Sequence, residues 1–77
     1  IDVSDSENIF INQAIYDEIN DAFILSCSAA SPGNITLNNA QGGNIFSAQT
    51  TGWTNQTVGS NIIIMLEGGN YNFVIEY

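Results

Sequence analysis

The chain has 77 residues, with eight Asp or Glu and no Lys, Arg or His, for a formal charge of −8. Phosphate backbones and anionic membrane surfaces are held mainly by Lys and Arg, so this composition excludes nucleic acid and charge-driven membrane binding. It also removes His and Lys from acid–base chemistry near neutral pH, and no enzymatic activity is expected.

In chain order, the first segment is ambiguous. Ile9, Ile11 and Ile15 suit one face of a strand, with Phe10, Ala14 and Tyr16 on the other. Yet Ile11, Ala14, Ile15, Glu18, Ile19 and Ala22 also fall on one helical stripe, and Ser4-Asp5-Ser6-Glu7 has the form of a capping box. The Ile and Asn content weighs toward a strand, and residues 6–22 stay open between the two. Ala22 to Ser28 then alternates Phe23, Leu25 and Cys27 against Ile24, Ser26 and Ser28, and Ser31-Pro32-Gly33 breaks the chain. Residues 34–37 read as a short strand, 38–43 as a turn and 44–50 as another strand, with a looser stretch around Trp53. Ile62-Ile63-Ile64-Met65-Leu66 is an apolar, strand-sized run. After Glu67-Gly68-Gly69-Asn70, the residues Tyr71, Phe73, Ile75 and Tyr77 alternate with Asn72, Val74 and Glu76. A glycine-rich turn between two such runs predicts a β-hairpin.

About six to seven short strands with Gly, Asn and Ser turns predict a single all-β domain over residues 1–77, a small antiparallel β-sandwich. The segment from Ile64 to Ile75 resembles the Leu-x-x-Gly-x-Tyr-x-Phe signature of extracellular immunoglobulin-like and jelly-roll sandwiches, here Leu66, Gly69, Tyr71 and Phe73. Such domains include subunits of surface appendages. The resemblance spans about a dozen residues; it implies the sandwich fold and, more loosely, a role in a surface filament.

Six of the acids lie at or before position 21, and Ca²⁺ takes several oxygen ligands. Asp17, Glu18, Asn20 and Asp21 are the expected contributors if the chain holds calcium, although solvated turns explain the same spacing; no other cofactor is expected. Asn34-Ile35-Thr36 and Asn55-Gln56-Thr57 are glycosylation sequons, at Asn34 and Asn55. Cys27 shares a strand face with Phe23 and Leu25 and reads as a buried, inert thiol. Trp53 suits a core plug with its N–H bonded to a neighbour, or else an interface or a platform for a sugar ring.

A single cysteine excludes an internal disulfide framework. Chains below about 80 residues commonly add disulfides, metals or oligomerisation, which leaves self-association as the expected staple. The chain begins Ile1-Asp2-Val3, which fits removal of a leader segment or a piece of a longer protein. It offers trypsin-like proteases no Lys or Arg, which suits an extracellular or cell-surface place, and it has no apolar run of about 18 residues for membrane insertion. The expected function is a structural subunit of an extracellular filament, pilus or surface assembly, a homopolymer joined by strand addition and apolar contacts. Residues 1–12 are the expected exchanged strand, and Ile1, Val3, Ile9, Phe10, Ile11 and Tyr77 the assembly residues, with the edge of the final strand as acceptor. Alternatives are a carbohydrate-binding or adhesive module, an acidic inhibitor, and a virion capsid or decoration protein.

Overall fold

The computed structural model describes residues 2–5, 8–40 and 42–77. Eight strands run through them: β1 (Asp2–Asp5), β2 (Ile9–Asp17), β3 (Ala22–Ala29), β4 (Gly33–Asn38), β5 (Asn44–Ser47), β6 (Trp53–Val58), β7 (Asn61–Leu66) and β8 (Gly69–Glu76). They make two four-stranded antiparallel sheets, sheet I in the order β1-β4-β7-β6 and sheet II in the order β2-β3-β8-β5. The expected β-sandwich is present, with eight strands where about six to seven were predicted. No residue among those described is helical. The ambiguous stretch is the nine-residue strand β2, interrupted by an irregularity between Ile11 and Gln13. β1 and β2 lie in opposite sheets, unlike the first two strands of a constant-type immunoglobulin domain, which pair.

The core follows from alternation. Ile35 and Leu37 of β4 and Ile62, Ile64 and Leu66 of β7 face Phe23, Leu25 and Cys27 of β3 and Tyr71, Phe73 and Ile75 of β8, all of them buried. Each fully buried side chain of this kind contributes about 1.5–3 kcal/mol relative to exposure. Ile9, Ala29 and Ala40 complete the cluster, and Val3, Ile11, Ile45 and Trp53 pack at its margins. Among the described residues no charged side chain is buried and no buried polar side-chain atom lacks a partner.

The predicted hairpin at the end of the chain is not one. β7 belongs to sheet I and β8 to sheet II, so Glu67 and Gly68 carry the chain across the sandwich in an arch. The inner residues of β7 and β8 meet face to face rather than side by side. Period-two alternation records which side of a strand is buried and is blind to which strand lies beside it. Gly69 takes φ +118°, a value glycine adopts without the penalty a side chain brings, and so turns the arch into β8. The Glu67 N–H donates to the Gly52 carbonyl at 2.9 Å, tying the arch to the loop before β6.

A second correction concerns the acceptor edge. β8 is an interior strand, paired with β3 from Gly69 to Glu76 on one side and with β5 from Phe73 to Glu76 on the other. The end of the chain that was expected to accept a donor strand is therefore covered by β5. The outer strands of the sandwich are β1, β6, β2 and β5.

Candidate functional site

The two outer faces of the sandwich differ. On sheet II, Ile15 of β2 lies opposite Ile24 of β3, Ile24 opposite Val74 of β8, and Val74 opposite Phe46 of β5. Directly opposed residues project to the same side of a sheet, so these four form one apolar row across all four strands. Ile15 and Phe46 are 51% and 52% exposed, and Ile24 and Val74 between them are half-buried. Phe10, 66% exposed, stands on the same face opposite Ser28. The intervening row is polar, with the Ser26 hydroxyl donating to Asn72 Oδ1 at 2.8 Å. The outer face of sheet I carries instead the rows Gln56, Ile63, Thr36, Ser4 and Thr54, Met65, Asn34.

One row beyond the apolar one, toward the β2–β3 turn, Asp17 lies opposite Ala22 and Ala22 opposite Glu76, so carboxylates border the patch. The turn itself projects Ile19, 95% exposed, and beside it Tyr16 and Tyr77 are about half exposed. The Tyr77 N–H donates to the Asp21 carbonyl at 3.2 Å, which fixes the end of β8 beside this turn.

The four residues expected at a calcium site lie at that turn, where Asp17, Asn20 and Asp21 are engaged in hydrogen bonds within the chain. Asp17 Oδ1 accepts from the backbone N–H groups of Ile19 at 3.0 Å and Asn20 at 3.3 Å, and its Oδ2 accepts from the Asn20 side chain at 2.7 Å. Those bonds, the Asn20 side chain first, hold the Asp17 carboxyl below its ordinary value. Asp21, with φ +49°, accepts the Tyr16 hydroxyl proton, and that bond raises the Tyr16 phenol above its ordinary value. Glu18 is exposed at the turn. Among the described residues no group of three or more His, Cys, Asp or Glu side chains is arranged to hold a metal ion.

The expected assembly residues scatter. Ile1 lies outside the described residues. Val3 sits on β1, opposite Leu37 of its own chain, and packs on the core; Ile9 is buried in it and Ile11 is half-buried against it. Only Phe10 and Tyr77 stand exposed. Residues 2–5 and 9–12 therefore belong to different sheets of the same molecule. Both sequon asparagines are exposed, Asn34 on β4 and Asn55 on β6.

No family model, curated protein or solved structure matches this chain.

Trp53 acts within the fold. Its ring meets Phe73 edge-on with centroids 5.1 Å apart, and its Nε1–H donates to the Gln49 carbonyl, so it fastens the β5–β6 loop to the core. Cys27 is fully buried, and burial pushes its thiol up to about 11. The residues that sequence reasoning missed are Ile15, Ile24, Phe46 and Val74. Ile15, Phe46 and Val74 have polar strand neighbours of the same phase, and Ile24 stands between Ala22 and Ser26, which is a weak signal in any one strand. Only the pairing register sets the four in line.

Proposed function

We propose that this protein is a structural subunit that assembles with copies of itself into an extracellular filament or surface layer, through apolar sheet contacts and strand pairing. The observation that carries the reading is the row Ile15–Ile24–Val74–Phe46 across the outer face of sheet II. A domain this small has little apolar area to spare, and contiguous exposed apolar surface on a soluble domain marks an interaction site. The lack of Lys and Arg supports a place outside cells, where proteases of trypsin type find no site. The exposed sequon at Asn34 suits the same setting. With eight like charges, copies repel, and counter-ions would ease their approach.

Sedimentation velocity over a wide concentration range, with negative-stain imaging of the same samples, tests the proposal. Wild-type chain should associate into extended or layered particles, and the double variant Ile15→Asn, Phe46→Ser should keep its β-type circular dichroism while associating at least about tenfold more weakly. A wild-type chain that stays monomeric at high concentration in salt overturns it. Closed shells in the images would favour a virion role over a filament.

A further inference from the structure

Proteins that expose sheet edges protect them with charge, proline, bulges or short strands. Three of the four outer strands here carry such a device. β1 contains Asp2 and Asp5 in four residues, β2 is interrupted between Ile11 and Gln13 and ends on Asp17, and β5 is only four residues long. β6, Trp53-Thr54-Asn55-Gln56-Thr57-Val58, has none. It is six residues long, has neither charge nor proline, and pairs with β7 without a register shift.

Its backbone can be read from the hairpin it forms. Val58 and Asn61 flank the two-residue turn Gly59-Ser60, so this pair exchanges both of its hydrogen bonds. By alternation Gln56 and Thr54 also bond to β7. The N–H and C=O groups of Trp53, Asn55 and Thr57 then point away from it, toward the side where sheet I ends. The inward-phase side chains Asn55 and Thr57 are exposed as well, because the opposite sheet does not reach over them.

We infer that β6 is a pairing edge for β6 of a second copy, antiparallel and centred on Asn55, so that the two four-stranded sheets I join into one. The inference rests on the self-assembly reading above and supplies a contact that reading lacks. Charge selects the occupant. Every copy is acidic, and among the described outer strands longer than four residues β6 alone carries no carboxylate. In this register Trp53 faces Thr57 of the other copy, Asn55 faces Asn55, and Thr57 faces Trp53, each pair exchanging two backbone bonds. A subunit with one two-fold contact at β6 and another on the outer face of sheet II does not stop at a dimer. Asn55 is also a sequon asparagine, and a glycan there would obstruct the centre of the junction.

Four variants of the chain test this, each checked for its fold by circular dichroism. Asn55→Asp sets two carboxylates opposite each other and should weaken association about tenfold at pH 7. That loss relative to wild type should disappear below about pH 4, where the carboxyl is protonated. Thr57→Pro removes a donor aimed away from β7, a site where an edge strand tolerates proline, and should weaken association similarly. Asn55→Cys should form a disulfide-linked dimer under mild oxidation much faster than Thr54→Cys, since facing residues are about 5.5 Å apart between Cα atoms and Cys27 is buried. If wild type associates while Asn55→Asp and Thr57→Pro associate as it does, the β6 junction is wrong and self-assembly stands on the apolar face alone. Equal cross-linking at positions 54 and 55 overturns the register. A monomeric wild type overturns both readings.

Discussion

The Tyr71 hydroxyl sits where three backbone groups converge. It accepts from the Gly68 N–H at 3.2 Å and shares its proton between the carbonyls of Gly68 at 2.9 Å and Gly52 at 3.0 Å, while its ring stacks on Phe73. One atom thus fastens the arch and the β5–β6 loop to a buried ring. Tyr71→Phe keeps the ring and leaves those groups short of a partner, so it should cost about 1–3 kcal/mol by urea denaturation with the fold retained. Cys27 is the opposite kind of residue, buried and without a polar role. Its thiol is raised from an ordinary 9.0 to about 11, so the stability tied to its neutral form is complete below pH 9 and is lost as pH rises toward 11. A thiol reagent at pH 8 should leave it unmodified in the native chain and label it fully in urea; rapid native labelling would contradict the burial.

Connections decide more about this fold than strands do. Gly52 lies in the β5–β6 loop at φ +86°, and a Cβ there would come within 3.0 Å of the Tyr71 hydroxyl. Gly52→Ala therefore meets backbone strain and a clash together, and should cost about 1–3 kcal/mol in a thermal melt, more than Gly59→Ala, where nothing lies within 4 Å. Four strands were legible in the sequence because alternation and punctuation by Gly, Asn and Pro are local signals: β3, β4, β7 and β8 fall within a residue or two of their predicted positions, whereas β6 occupies the stretch around Trp53 that reads as loose, its polar residues Thr54 to Thr57 showing no alternation. β2 was ambiguous because the break at Gln13 shifts its phase, so residues on either side of it keep different faces. The arch was invisible, since its glycines would serve a hairpin equally well. So was the apolar row, because its members are 9 to 59 residues apart from one another along the chain and meet only through register. The acidic residues 17–21 form the β2–β3 turn, but which atoms Asp17 bonds is set by the turn geometry and not by composition.

At the scale of the whole molecule, small size and one-signed charge act together. The radius of gyration is 11.3 Å, close to the roughly 11.5 Å of a compact chain this long, so the sandwich closes without a partner. A domain of this length has a stability of about 4–12 kcal/mol, little of which can be lost. Like charges oppose association between copies, and Asp17 and Glu76 stand beside the apolar row. Association should therefore strengthen several-fold between about 20 mM and 500 mM NaCl as the screening length falls from roughly 20 Å to below 5 Å, measured by light scattering after size-exclusion chromatography. Association that weakens with salt would mean that an ion-pair contact holds the copies together, which a chain without cations does not supply.

The interior position of β8 also sets an order of events. Only β2–β3 and β6–β7 are hairpins; the other connections pass from one sheet to the other. Hairpins close in microseconds, whereas sandwiches built from distant pairings take milliseconds to seconds. β5 has no neighbour but β8, so sheet II stays in two pieces until residues 69–76 arrive between them. During that interval the β6–β7 hairpin can form, with its unprotected strand, while the apolar inner side of β7 is still uncovered. A chain at high concentration would then meet its copies before it has finished folding, and the time β8 takes to insert would decide between ordered assembly and aggregation.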